Sequence, residues 1–231
     1  MEVNSNKGWL SLLALNRNCL LCRQLSPVLI CPVCCHDMPH YDLARYDFNM
    51  LNRIKVRVEL KTFSAGSLLA LAEYQWPLSQ LIQGLKFSKK ALYAKALAQV
   101  FCHFADSLPS LPQALVPIPL HPKRLATRKY NQAACIAQQI AKLKGIKCYA
   151  NTLKRLKYTQ PQTDLSAAQR YTNTRNAFAC HRPLIGVDHI AVFDDVITTG
   201  STVSAAVNVL KERYPSLRID VWAICITPEH R

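Results

Sequence analysis

Apolar and polar positions change rhythm along the chain, and the changes predict the elements. Residues 68–74 (LLALAEY) are largely apolar and read as a strand, or as a helix if the Ala and Leu propensities win. Two helical patterns follow, over 77–86 and 89–107. In the second, Leu92, Ala96, Val100 and Phe104 recur at helical spacing with lysines opposite. The Leu-Pro-Ser-Leu-Pro run at 108–112 ends it. From there the period alternates. Residues 114–120 predict a buried strand, 131–144 a helix stopped by Gly145, and 146–149 a short strand. Residues 189–196 predict another strand, 201–214 a helix and 218–227 a last strand. The stretch 157–176 is polar without periodicity and reads as a long loop with one helical turn at most. Strands alternating with helices predict an α/β fold, a mostly parallel sheet covered by helices on both faces.

Composition narrows the class. Half of the 231 residues are hydrophobic and 19% are charged, which excludes a disordered chain. The longest apolar stretches fall short of the roughly 18 residues that a membrane-spanning helix requires. The first residues hold only a short apolar patch with no small-residue cleavage site, so no secretory signal is expected and a cytoplasmic location is. The 29 basic residues against 14 acidic ones leave a net charge of +15. That charge is concentrated: residues 111–185 carry thirteen Lys and Arg and one acidic residue, Asp164. Such a block points to an anionic partner.

Ten cysteines in a chain with no export signal argue for metal or buried thiols and not disulfides. Cys19-Leu-Leu-Cys22 and Cys31-Pro-Val-Cys34 are two C-x2-C turns eight residues apart. Two such turns complete a tetrahedral four-sulfur set, the geometry of structural zinc, with Cys35 directed away from it. A closed site of this kind supports folding and not chemistry. Cys102, Cys135, Cys148, Cys180 and Cys225 lie in apolar or helical settings and are expected in the core. The predicted organisation is a four-cysteine zinc module over 1–40, a connecting segment over 41–66 and the main domain over 67–231. In the connection, Arg53, Lys55, Arg57 and Lys61 are placed on one face of an extended segment or on a solvated link.

The most informative segment runs from Val192 to Thr202, Val-Phe-Asp-Asp-Val-Ile-Thr-Thr-Gly-Ser-Thr. An apolar strand ends in two carboxylates and a hydroxyl-rich turn opens the next helix. Thr198, Thr199, Ser201 and Thr202 offer hydroxyl donors, Gly200 lets the backbone approach closely, and the helix start presents unpaired N–H groups to an anion. Asp194 and Asp195 are acceptors suited to the vicinal hydroxyls of a ribose. The lack of a GxxxxGK pattern disfavours a P-loop nucleotidase.

This string resembles the phosphoribosyl diphosphate (PRPP) loop of type I phosphoribosyltransferases, and the wider pattern resembles the ComF, or competence protein F, family. The resemblance covers roughly residues 18–227. It takes in the four cysteines, Leu85-Lys86-Phe87, Val116-Pro-Ile-Pro-Leu-His-Pro-Lys-Arg124, Arg128-Lys-Tyr-Asn-Gln132 and Gln160-Pro-Gln162. It continues through Leu165-Ser166 and the Arg170, Asn173, Arg175, Asn176, Ala177, Phe178 series. Lys129 departs from it, since the family usually has glycine there. The resemblance implies a type I phosphoribosyltransferase-like domain with a zinc-ribbon-like N-terminal module. It further implies ribose hydroxyls on Asp194 and Asp195, and the 5′-phosphate on Thr198, Thr199, Gly200, Ser201 and Thr202. His121, Lys123 and Arg124, after the first core strand, become candidates for the diphosphate. So do Arg170 and Arg175 in the polar stretch, which falls where those enzymes carry a mobile flap. Magnesium is implied with PRPP. Purine-salvage relatives place a catalytic Asp where this chain has Thr198, so no general base is assigned and the acceptor is undefined.

Two functions follow from the resemblance. One is a PRPP-binding protein of natural competence, handling single-stranded DNA beside a helicase or recombination mediator. The other is an active phosphoribosyltransferase of nucleotide or base metabolism with no direct DNA role. The basic block suits both, and Tyr130, Tyr149, Tyr158 and Tyr171 in or beside it are candidates for base stacking.

Overall fold

The computed structural model describes residues 17–60, 63–87, 91–156 and 177–227, and these divide into two compact units, with the boundary in the chain between Met38 and Pro39. In the first, two-residue strands β1 (Arg17–Asn18) and β2 (Leu25–Ser26) pair antiparallel, and a one-turn helix α1 (Pro32–His36) follows. Among its described residues the buried apolar set is small, chiefly Cys19, Leu29, Ile30, Cys35 and Met38.

The second unit is built on five parallel strands. They are β3 (Ser67–Glu73), β4 (Ala114–Pro117), β5 (Lys147–Cys148), β8 (His189–Ile197) and β9 (Arg218–Ile226), in the order β3-β9-β8-β4-β5. The run at 68–74 is thus a strand: burial between neighbours outweighed its helical propensity. Helices α3 (Leu78–Phe87), α4 (Ala91–Phe104), α6 (Gln132–Lys144) and α7 (Ser201–Arg213) cover the sheet. Right-handed crossovers put α6, linking β4 to β5, and α7, linking β8 to β9, on opposite faces, because the two connections run in opposite directions across the sheet. The core centres on Phe101 of α4, whose ring packs 5.2 Å from that of Trp222 on β9 and edge-on, at 6.0 Å, to that of Phe193 on β8.

Within residues 114–180, three elements were not foreseen. A helix, α5 (Pro122–Arg128), fills the space between the first core strand and α6. The predicted strand over 114–120 therefore stops at Pro117, since the prolines of Val-Pro-Ile-Pro break the ladder. Lys129 closes α5 in the left-handed region at φ 70°, the conformation that favours glycine. An antiparallel pair, β6 (Leu153–Arg155) and β7 (Phe178–Cys180), brackets the polar stretch 157–176, which lies outside the described residues.

Residues 41–60 are not an extended link. Two 3-10 turns, Ala44–Tyr46 and Met50–Asn52, and a short helix, α2 (Ile54–Glu59), pack beside β3. Tyr41 donates its N–H to the Leu71 carbonyl, and Asn49 Oδ1 accepts the Leu68 N–H. Arg53 therefore begins a helix, and pairs with Glu73 at 3.5 Å, in place of joining a basic face. Of the five cysteines expected in the core, Cys225 is fully buried, while Cys102, Cys135, Cys148 and Cys180 are partly exposed. Among the described residues no helix is long and apolar enough to cross a membrane.

Candidate ribose-phosphate site and four-cysteine centre

Strand order decides where a site can form. The chain leaves β4 toward β5 and then returns to β8 on the other side of β4, so the connections diverge between β4 and β8. Open α/β sheets hold their ligands at such a switch, beyond the carboxyl ends of the strands. A cavity of about 300 Å³ lies there. One wall comes from the end of β8 and the start of α7: Asp194, Asp195, Thr198, Thr199, Ser201 and Thr202. The opposite wall comes from the segment after β4, from α5 and from the start of α6, with Arg124, Arg128, Asn131 and Gln132. Lys86 of α3 and Arg155 of β6 complete the ring of charge.

The loop after β8 is shaped by its own side chains. Asp194 Oδ1 accepts the Asp195 N–H at 2.9 Å, and Asp195 Oδ1 accepts the Val196 N–H at 3.1 Å. Gly200 takes φ 73° and leads into α7, whose first-turn N–H groups have no partner within the helix. Thr199 Oγ1 and Ser201 Oγ stand 3.0 Å apart. A Cβ on Gly200 would approach Leu60 Cδ2 and Phe63 Cδ2 at 3.1 Å, so the segment before β3 buttresses this turn.

Lys86 Nζ lies 3.2 Å from Asp195 Oδ2. Burial, and then the neighbouring Asp195 charge, push the Asp194 carboxyl well above the usual carboxylate range, while Lys86 pulls against that. Tyr130 OH donates to the Leu85 carbonyl and ties the end of α3 to the turn before α6, which positions Lys86. Arg155 is 8% exposed and lies over the Phe178 ring. Burial and the Arg124 charge push its guanidinium down, and Asp194 pulls it back.

Among the diphosphate candidates, Arg124 lines the cavity, whereas His121 and Lys123 do not. His121 instead caps α5, its Nδ1 accepting the Lys123 N–H at 3.2 Å. Desolvation, followed by the charges of Arg155, Lys123 and Arg124, pushes the His121 imidazole below its usual value. Arg170 and Arg175 lie outside the described residues. Lys86, Arg128, Asn131 and Gln132 stood in the sequence as motif residues without a role, and Arg155 carried no signal at all. Tyr130 and Tyr149 spend their hydroxyls on the Leu85 and Ile185 carbonyls, and Tyr158 and Tyr171 lie outside the described residues.

In the first unit the four sulfurs of Cys19, Cys22, Cys31 and Cys34 all lie within 4.8 Å of one another, and the Cys22–Cys31 pair is 3.8 Å apart. A zinc ion with bonds of about 2.3 Å to four sulfurs would set them about 3.8 Å apart, so the cluster has the size and donor set for one metal ion. Arg23, at φ 68°, reverses the chain after the first pair. Burial pushes the Cys19 thiol up, but the backbone N–H groups of Cys31, Cys22 and Leu21 outweigh it and bring the thiol down to about 6. Cys34 is pushed up, by burial and by sharing hydrogen bonds with the other three sulfurs. Cys35 is outside the cluster, as expected.

The chain is 34% identical over 168 residues to competence protein F of Haemophilus influenzae, spanning 70% of this chain and 73% of that one. It is likewise 34% identical over 166 residues to DNA utilization protein YhgH of Salmonella typhi, spanning 69% and 72%. No family model matches. Among solved structures, adenine phosphoribosyltransferase from Leishmania tarentolae is similar over 68% of this chain and 91% of its own, at 13% identity and a TM-score of 0.38. A second such enzyme, from Trypanosoma brucei, gives 11% identity and a TM-score of 0.37 over 71% and 89%. With 34% identity over more than two thirds of this chain and of those curated relatives, the chain belongs to the competence protein F family.

Proposed function

We propose that this protein binds PRPP, or a closely related ribose phosphate, in the cavity between β4 and β8, and serves the handling of single-stranded DNA in natural competence. The observation that carries the first half is the union, in one cavity, of an acceptor pair and a hydroxyl-rich helix start. Asp194 and Asp195 suit the ribose 2- and 3-hydroxyls. Thr198 to Thr202, with the N–H groups opening α7, suit the 5-phosphate. Arg124 and, by the resemblance, Arg170 and Arg175 are the cations for the diphosphate. Magnesium fits as a hard cation carried by diphosphate oxygens, and Asp194 and Asp195 are the carboxylates that would face it. When bound, the ion would neutralise charge on the departing diphosphate. Where purine-salvage relatives place a catalytic Asp this chain has Thr198, an exposed hydroxyl, so no general base for a purine is assigned among the described residues.

The second half is supported by the names of the relatives, DNA utilization protein and competence protein F, and by the basic block of residues 111–185. The four-cysteine centre would hold structural zinc and no reactant.

A titration with PRPP plus magnesium, beside one with single-stranded DNA, tests both halves. Asp194→Ala combined with Asp195→Ala is expected to abolish PRPP binding and transformation together. DNA binding should weaken steeply with salt and PRPP binding less so. Transformation that persists when PRPP binding is lost would overturn the link between the two.

A further inference from the structure

Lys86 enters the cavity from the last turn of α3, and the two residues before it fix where that turn lies. Leu85 gives its carbonyl to Tyr130 OH. Gly84 lets the Tyr93 ring of α4 approach so closely that a Cβ there would meet it at 2.7 Å. The lysine also stands at the negative end of the α3 dipole, where a cation is favoured. Its ammonium is therefore delivered to one place, 3.2 Å from Asp195 Oδ2 on the floor of the cavity.

The two aspartates already have oxygens committed. Asp194 Oδ1 accepts the Asp195 N–H, Asp195 Oδ1 accepts the Val196 N–H, and Lys86 stands on the other oxygen of Asp195. Magnesium demands a near-octahedral shell of oxygens and gives up its water reluctantly. To bind the Asp195 carboxylate it would have to drive off an ammonium that neutralises it in a partly desolvated site, where breaking such a pair is costly. A neutral sugar hydroxyl meets no such conflict. A carboxylate oxygen accepts more than one hydrogen bond, so a hydroxyl and the ammonium can share Asp195. An ammonium carries three donors, and one carboxylate oxygen leaves others for a sugar oxygen.

We infer that Lys86 is the resident cation of the carboxylate pair and a positioning residue for the sugar: it holds Asp195 ready for the ribose hydroxyls and makes capture of a ribose 5-phosphate independent of divalent metal. The inference rests on the ribose-phosphate reading above and gives a role to a residue that this reading left unassigned. Magnesium then comes only with a diphosphate, on the ligand's own oxygens. The chain needs none to recognise the sugar and its 5-phosphate.

Calorimetry on the full chain with ribose 5-phosphate, once in EDTA and once in magnesium, tests this. Wild-type protein is expected to bind it equally in the two buffers, within about twofold. Lys86→Met should lose about tenfold or more in EDTA, the size of one charge-assisted hydrogen bond, and regain most of it in magnesium. Lys86→Arg keeps the charge and should stay indifferent to magnesium. Circular dichroism checks folding, and Lys86→Gln replaces Lys86→Met if that variant is too unstable to titrate. A merely structural lysine would lower binding in both buffers alike, and that result would overturn the inference. So would a wild type that requires magnesium. Manganese alone, followed by its electron paramagnetic resonance signal, gives a readout without sugar: it should bind Lys86→Met at least about tenfold more tightly than wild type. If ribose 5-phosphate binds in neither buffer, the ribose reading fails. Manganese gained by Lys86→Met would still sustain the resident cation, and no gain would end it.

Discussion

Lys86 and Asp195 meet at 3.2 Å across the floor of the cavity, joining the last turn of α3 to the end of β8. Both side chains are mostly covered, at 22% and 15% exposure, so the contact is a partly desolvated ion pair beside a second carboxylate, Asp194. It sets a positive charge against one of two adjacent carboxylates, which helps to keep both acids in one site.

Removing that charge should make the fold sensitive to pH. The raised Asp194 carboxyl binds a proton more tightly folded than unfolded, so its contribution to stability is present at acidic pH and is lost as pH rises through its raised value. Lys86→Met should deepen the loss, costing about 1.5–3 kcal/mol near neutral pH and less in mild acid. Urea unfolding of both proteins at about pH 5 and about pH 8 reads the difference. An equal cost at the two pH values would contradict this role.

Gly200→Ala should damage the loop from two directions. A side chain at φ 73° costs about 1–2 kcal/mol, and the new Cβ would also crowd Leu60 and Phe63 at 3.1 Å. The expected result is destabilisation of at least that size, together with weakened PRPP binding. Denaturant midpoints and ligand titration on the same sample measure the two effects.

Lys129→Gly should act in the opposite sense. Lys129 occupies φ 70° at the end of α5, and glycine there removes the left-handed penalty while adding some unfolded-state entropy. A net gain of about 0.5–1 kcal/mol is expected, provided the turn is kept. A loss of stability would mean that the lysine side chain contributes more than its backbone costs.

Metal removal should unfold one unit and spare the other. The described residues 17–38 have two-residue strands and few buried apolar side chains, so their order depends on whatever the four sulfurs hold. Purified protein is expected to carry about one zinc per chain. Chelation should expose residues 17–38 to protease while the sheet persists by circular dichroism. Zinc at well under half an equivalent in fresh protein would refute the assignment.

Much of this is legible in the sequence. The largely apolar runs at 114–120, 189–196 and 218–227 are readable as strands, found at Ala114–Pro117, His189–Ile197 and Arg218–Ile226, because strands buried on both faces need no alternation, only continuity. The spacing of Cys19, Cys22, Cys31 and Cys34 marked the four-sulfur cluster, and the string from Asp194 to Thr202 marked the loop, because both are local: neighbours in sequence supply all the groups. α5 was missed because a seven-residue helix has too few turns to show a period. The strand reading of 68–74 had a helical rival that only its place beside β9 dismissed.

What tertiary structure alone decided is which distant residues share the cavity. Lys86, Arg128, Gln132 and Arg155 come from four separate elements, and no spacing rule relates them to Asp195. They meet because the strand order turns back between β4 and β8, and because Tyr130 draws the end of α3 to the turn before α6. Sequence alone determined the chemistry of one wall, since its groups are consecutive along the chain. The opposite wall was settled by crossovers and packing, which act between residues far apart in the chain.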